Sequence, residues 1–192
     1  MPIPTDPLLA AQWHLGNTAG LLDLNVRSVW CPILGPAYTG AGTRVVVIDD
    51  GFDYLHSDLA ANYDLFADYD LDNVTFDAFG GVGDDHGTAV TGIIAADNNG
   101  TGAVGVAFDA QLIGYRVYPF ITDEWLQNIR DSIYHAAVTA RGDVVNISQS
   151  IANDHLSEFG TGYSAVRFDE IETSIGHAVS QGRGGLGTTV VK

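Results

Sequence analysis

Asp49 and His86 are two side chains of this 192-residue sequence placed to do acid–base chemistry together. Arg44-Val45-Val46-Val47-Ile48-Asp49 is a short β-branched run with no polar alternation. It predicts a central strand buried on both faces, with Asp49 at its carboxyl end. In open parallel sheets, that end of the strands is where sites form. Asp85-His86-Gly87-Thr88-Ala89-Val90 leads a small, apolar stretch that predicts a buried helix over Gly87 to Ala96. His86 would open it, and Gly87 and Ala89 would let it lie close to the sheet. A buried carboxylate that accepts the imidazole Nδ1–H fixes the tautomer and stabilises the imidazolium formed when the other nitrogen takes a proton. An Asp and a His 37 residues apart also fit a plainer arrangement, a capping Asp and a satisfied core His.

The elements that would position the pair follow from periodicity. Gln111 to Val117 reads as a second strand. Thr122 is a candidate N-cap with Asp123 and Glu124 in the first turn, and Trp125, Ile129, Ile133, Ala136 and Ala140 recur at helical spacing up to Arg141-Gly142. Asp143 to Ile147 is a further buried-strand run. Phe168, Ile171, Ile175 and Ala178 mark another amphipathic helix closed by Gly182, and Thr188 to Val191 begins one more strand. Strand–helix alternation of this kind predicts an α/β fold of three layers, a mostly parallel sheet with helices on both faces.

Composition excludes several classes. Acidic residues number 24 against 8 basic ones, a net charge of −16, so the surface repels phosphates and a nucleic-acid partner is not expected. No run approaches the roughly 18 uncharged apolar residues of a membrane span, so no membrane partner is expected. A lone Cys31 permits no internal disulfide, and Met1-Pro2-Ile3-Pro4-Thr5-Asp6 lacks the basic and apolar parts of an N-terminal signal peptide. Twelve Asp fall between Asp49 and Asp97, while no Lys or Arg occurs from Val45 to Tyr115. Such a cluster repels itself unless it is solvated, salted or neutralised by a cation. Composition leaves open a solvated face and oxygen-rich calcium sites.

Val47-Ile48-Asp49-Asp50-Gly51 and His86-Gly87-Thr88-Ala89-Val90-Thr91-Gly92 resemble the Asp and His signatures of the subtilisin-like serine proteases, whose triad runs in the order Asp, His, Ser. The doubled Asp resembles the kexin and furin branch. So do Pro4-Thr5-Asp6-Pro7, Gln12-Trp13-His14-Leu15, Asp23-Leu24-Asn25-Val26 before Trp30, and Val179 to Gly187. The resemblance runs from about Thr5 to Lys192. It implies a serine-type endopeptidase acting on polypeptide substrates, with Asp49 as the orienting acid and His86 as the general base. Ser148 would close a strand that pairs with the substrate backbone, and Asp154 falls near an acidic position that favours basic side chains. The match after Ser148 is loose, because Gln149-Ser150-Ile151-Ala152 stands where the family has a small-residue turn.

The resemblance also implies Ca2+. Asp58 matches a calcium ligand of the family, and Asp97 to Ala103 resembles its calcium loop. There the carbonyls of Asp97, Thr101 and Ala103 and the Asn99 side chain would bind, with Asp6 anchoring the N-terminal arm; six oxygens from three segments suit this ion. Asp70 and Asp77 resemble a second calcium site of the furin-like branch, although Thr75 stands where a further acidic residue is expected. Asp68 to Asp72 starts like an EF-hand, but Asn73 and Phe79 replace its Gly and Glu. Gly182 to Gly187 matches GxGxxG yet follows a helix and precedes a strand, the reverse of a dinucleotide fingerprint. Gly160 to Ala165 faintly resembles the family's nucleophile motif but lies on the wrong side of Gly182 to Gly187, so Ser164 reads as a loop or helix-start residue.

By the same resemblance, the oxyanion Asn falls just past Lys192 and the nucleophilic Ser well beyond it. Residues 1–192 are then an incomplete catalytic domain, truncated on its C-terminal side: an arm over 1–40 and a parallel core over 41–192. They are expected to lack peptidase activity, and a complementary C-terminal segment carrying the Ser is an expected partner. The alternative is an inactive fragment or a calcium-binding module with no enzymatic role. An extracellular place of work is the family's expectation.

Overall fold

A computed structural model describes residues 3–17, 19–119, 122–150 and 163–192, the side chains of 163–167 excepted. After a 3-10 turn at Leu9–Ala11, the elements are α1 (Arg27–Trp30), β1 (Arg44–Asp49), β2 (Tyr69–Asp70), α2 (His86–Ala95), β3 (Gln111–Arg116) and α3 (Asp123–Tyr134). A π-helical segment (His135–Thr139), β4 (Val144–Ile147), α4 (Tyr163–Gly185) and β5 (Thr189–Val191) complete them. The strands form one parallel sheet in the order β2-β3-β1-β4-β5.

The unbroken apolar run of β1 is explained by its place as the third of five strands. Val46 and Ile48 pack with Ile113, Tyr115 and Val145 under α3, the π-helical segment and α4, through Leu126, Ile129, Ile133 and Ala178. Val45 and Val47 face the other way with Leu112, against Phe52, Leu59, Tyr63 and Ala95 of α2. Each face of one strand is thus covered by a helical layer, and burying each large apolar side chain contributes about 1.5–3 kcal/mol. The α/β architecture with helices on both faces is the one the periodicity predicts.

Thr122 caps α3 as expected, its hydroxyl accepting from Trp125 N at 3.1 Å, with Asp123 and Glu124 in the positive first turn. The helix does not run on regularly to Arg141. It widens over His135–Thr139, and the broader turn keeps both Ala136 and Ala137 buried against the sheet. α4 leaves helical geometry at Gly182, where the sequence places its end. β2, only two residues long, has no counterpart in the sequence reading. Ser164 lies in the first turn of α4.

The N-terminal arm is docked by a cluster of its own. Leu9, Leu15, Val26 and Trp30 pack on Val104 and Phe108. Trp30 Nε1 donates to Val106 O at 2.8 Å, and the Gln12 amide bridges the N–H and C=O of Val104. No helix among the described residues is long and apolar enough to cross a membrane.

Leu126 is fully buried between α3 and the sheet. Leu126→Ala is expected to destabilise the fold by about 2–5 kcal/mol, read as a lower urea midpoint at unchanged m-value.

Candidate active site

Parallel pairing carries Asp49 to the carboxyl end of β1, opposite Arg116 of β3. Asp49 is 1% exposed, and its Oδ1 accepts from His86 Nδ1 at 2.8 Å and from Asp50 N at 2.8 Å. His86 is the first residue of α2, with a side chain 57% exposed. α2 reaches the strand end because Gly87 has no side chain: a Cβ there would sit 2.4 Å from Gly51 O and 2.9 Å from Asp49 Cβ. The pair therefore has a buried carboxylate on one side of the ring and open space on the other.

Electrostatics follow from that asymmetry. The Asp49 hydrogen bond holds His86 above its ordinary value of 6.5, against a smaller desolvation effect, and the charges of Asp49, Asp50 and Asp85 add to it. Burial pushes the Asp49 carboxyl up, with the His86 hydrogen bond opposing. The proton of the shared bond sits on Nδ1, since an ionised carboxylate only accepts. Asp49 Oδ2 is buried without a partner among the described residues, which is part of the burial cost.

A cleft of about 230 Å³ opens beside the pair, lined by Asp49, Asp50, His86, Pro119, Trp125, Ser148, Gln149 and Ser150. Its far wall is tied together. Trp125 Nε1 donates to Gln149 Oε1 at 2.8 Å, and Gln149 Nε2 donates to Val117 O at 2.6 Å. Ser148 lies on this wall, its hydroxyl accepting from Asn146 Nδ2 at 2.8 Å. Asp154 lies outside the described residues. Trp125 and Gln149 escaped the sequence reading as site residues. Trp125 showed only as a helical apolar position, and Gln149 only as a departure from a small-residue turn.

Among the described residues, one group of three acidic or imidazole side chains brings its ligand atoms within 4.8 Å of one another: Asp49, Asp50 and His86. Both Asp50 oxygens accept helix N–H groups and His86 Nδ1 faces Asp49, so the arrangement suits proton transfer better than a metal.

The proposed calcium loop brings its members together in another way. Asp6 is 3% exposed; its Oδ1 accepts from Asn99 N and Gly100 N, and its Oδ2 is buried without a partner among the described residues. Asp58 accepts from Ala103 N at 2.9 Å and from the hydroxyls of Ser57 and Thr101. Gly102, at φ +53°, turns the loop so tightly that a Cβ would fall 2.1 Å from Asp58 Oδ2. Gly102 O accepts from Leu8 N of the arm, while the carbonyls of Asp97, Thr101 and Ala103 accept no hydrogen bond among the described residues. Burial raises the Asp97 carboxyl, and the charges of Asp109, Asp6 and Asp58 raise it further. Asn99 Oδ1 accepts from Thr101 N at 2.9 Å.

Asp70 and Asp77 are differently occupied. Asp70 accepts from Asp72 N, from the backbone and side chain of Asn73, and from Arg116 Nη1 at 2.8 Å. Burial alone would raise its carboxyl, but those Asn73 and Arg116 bonds together hold it below the usual range. Asp77 accepts from the Tyr54 hydroxyl and from Phe79 N.

The subtilase family model matches residues 40–191. The chain belongs to the subtilase family. Human neuroendocrine convertase 2 is 42% identical over 130 residues, 62% of this chain and 20% of that protein. Its counterpart from Caenorhabditis elegans is 32% identical over 200 residues, 98% of this chain and 28% of that protein. These relatives place the chain in the kexin/furin-like branch, and the chain spans 20% to 28% of their length. Among solved structures, the serine protease of Aeromonas sobria in complex with its chaperone superposes with a TM-score of 0.72 at 22% identity, over 99% of this chain and 32% of that one. A protease from Pseudoalteromonas arctica gives 0.62 at 24% identity, over 91% and 57%. At these identities the structures establish the shared subtilisin-like fold.

With its folded midpoint above 6.5, the Asp49–His86 pair adds stability that is complete below about pH 6.5 and is lost as pH rises through that midpoint. The His86 ring proton, followed by NMR, is expected to titrate above 6.5, and Asp49→Asn to bring the midpoint down. A midpoint at or below 6.5 in the unaltered chain would contradict the pairing.

Proposed function

We propose that this protein is a serine-type endopeptidase of the kexin type in which Asp49 orients His86 and His86 is the general base. The supporting observation is the 2.8 Å bond from His86 Nδ1 to buried Asp49, on a ring that opens onto the cleft. The proton on Nδ1 leaves Nε2 to take one from a serine hydroxyl as that oxygen attacks a peptide carbonyl, and to return it to the departing amine. Asp49 stabilises the imidazolium between those steps. No residue of 1–192 is assigned as the nucleophilic Ser or as the oxyanion donor; both would be supplied by other residues presented to the open side of His86. An extended polypeptide is the substrate, running beside Ser148 after β4, and Asp154 would favour a basic side chain. Because His86 is held above 6.5, the acidic limb of the rate profile is expected above that pH.

Residues 1–192 incubated with an unstructured protein are expected to show no turnover, whereas a catalytic domain that joins them to a segment bearing the Ser hydrolyses it. In that domain His86→Ala is expected to lower kcat by on the order of 10⁶. Turnover by residues 1–192 that His86→Ala abolishes would overturn the placing of the Ser outside them; a fully active His86→Ala domain would overturn the function.

Calcium belongs to the same proposal. The unpartnered Asp6 oxygen, the tight turn at Gly102 and the uncommitted carbonyls of Asp97, Thr101 and Ala103 fit a hard cation, with Asp58 and Asn99 completing the set. When bound, the ion neutralises carboxylates that otherwise repel one another and fastens the N-terminal arm to the loop after α2. Asp70 and Asp77 fit less well, since the Arg116 guanidinium already lies on Asp70. Saturating Ca2+ at about 100 times its Kd is expected to raise Tm by about 5–10 °C, reversibly on chelation and not in Asp58→Asn. An unchanged Tm would remove the site. An extracellular setting completes the proposal and is supported by the family resemblance.

A further inference from the structure

A helix leaves its first four N–H groups without intrahelical acceptors. In α2 the local N-cap residue, Asp85, makes no capping bond. The first N–H groups are taken instead by a distant side chain: Asp50 Oδ2 accepts from His86 N at 3.3 Å, and Asp50 Oδ1 from Gly87 N at 2.8 Å. Asp50 is 8% exposed and is joined by one peptide bond to Asp49. One dipeptide at the end of β1 therefore holds His86 twice, by its backbone through Asp50 and by its ring through Asp49.

Asp50 is itself fastened. Its carbonyl accepts from Arg116 Nε at 2.9 Å, and Arg116 stands in register with Asp49 across the β1–β3 pairing. The terminal nitrogens of the same guanidinium reach Asp70 at 2.8 Å and Asp84 at 3.0 Å. Asp84 lies two residues before His86, and its carboxylate also accepts from Gly81 N at 3.0 Å. Arg116 is the first Lys or Arg after the stretch from Val45 to Tyr115, which has neither. It joins the end of β1, β2 and the chain entering α2, three segments rich in negative charge. A planar fork with five donors makes three directed bonds at once; an ammonium is a single point of charge.

Resting on the reading of Asp49 and His86 as a catalytic pair, we propose that Asp50 and Arg116 are positioning residues for the His86 imidazole. The Asp50 carboxylate clamps the first turn of α2 to the strand end. Arg116 clamps Asp50 and the incoming loop. Neither residue is needed to touch the reacting atoms for this role.

NMR on the 192-residue chain tests the proposal without turnover. The unaltered chain is expected to show a downfield Nδ1–H resonance for His86 and slowly exchanging His86 and Gly87 amides. Asp50→Ala is expected to speed exchange at those two amides about tenfold and to remove the Nδ1–H resonance, while Val90 to Ala95 keep their protection. Asp50→Asn keeps one of the two acceptor oxygens and turns its NH2 toward the other N–H, so one of the two amides is expected to keep slow exchange and the other to lose it. If Asp50→Asn speeds neither amide, the two bonds do not hold the turn and the proposal falls. It falls equally if Asp50→Ala leaves both signals intact. Where Asp50→Ala does not fold, Arg116→Lys decides: faster exchange at His86 and Gly87 supports the clamp, and unchanged exchange overturns it. Asp49→Asn is the separate arm. If the Nδ1–H resonance survives it, the pairing of Asp49 with His86 has failed, whatever Asp50 does.

Discussion

A carboxylate buried at the end of a central strand is tolerable only where donors converge on it, and here the ring of the first residue of a helix joins a neighbouring backbone N–H. Asp49 is almost fully buried, and among the described residues its carboxylate is met only by the His86 ring and the N–H of its own neighbour. Remove the ring and a buried ionised oxygen loses its one side-chain donor, at a cost of about 1–3 kcal/mol. The start of α2 has the complementary problem of N–H groups pointing at low-dielectric protein. Bringing the two ends together satisfies both, and the helix dipole adds in the same sense because its positive end faces the acidic pair. The sheet behind them, the missing side chain at Gly87 and the loops on either side are arranged around that meeting.

The remaining acid is handled by different means in different places, which is why net charge alone says little about function. Asp50 and Asp6 are met by backbone N–H groups. Asp70 and Asp84 share the Arg116 guanidinium, and Asp64 meets Arg44 at 3.4 Å, so the two arginines that bracket the stretch without Lys or Arg both turn back into it. Asp77 takes a tyrosine hydroxyl. Around Asp6, Asp58 and Asp97 no arginine or lysine supplies a described ion pair, and one buried oxygen is left over. Of the acidic groups beyond the Asp49–His86 pair, this is where a divalent cation would have the most to neutralise.

What was legible in the sequence divides along physical lines. β1 and β3 showed because burial on both faces leaves an apolar run, β4 showed as a shorter Val-Val-Asn-Ile run with alternate residues buried, and α3 showed because a threonine cap and a helical period agree. The end of α4 showed at Gly182. β2 was invisible: two residues in an acidic stretch carry no period at all, and only pairing with Tyr115 and Arg116 makes them a strand. The widened turn after Tyr134 was invisible for the opposite reason, since a run of small residues fits either a regular or a broadened helix. Asp49 and His86 were legible through their flanking motifs; nothing local links residues 37 apart. The bonds from Asp50 to α2, from Arg116 to Asp70 and Asp84, and from Gln149 to Val117 join positions 32 to 46 apart, or depend on a fold already formed, and carried no signal of their own.

The cleft itself is a consequence of parallel pairing. Because β1, β3 and β4 run the same way, Asp49 at the end of one strand, Val117 and Pro119 beyond the next, and Ser148 and Gln149 beyond the third all emerge on one side of the sheet. The β1–β4 register sets Ile48 against Ile147, so Ser148 leaves its strand at the level where Asp49 leaves β1. Trp125, capped into place by Thr122, then bonds Gln149 across the gap, and Gln149 returns to the backbone after β3. A polypeptide lying between His86 and this wall would thus rest against strand ends and bonded side chains rather than against free loops. General-base chemistry requires that fixity, because a ring displaced by about 1 Å from its acceptor and its proton donor loses on the order of 10²-fold in rate.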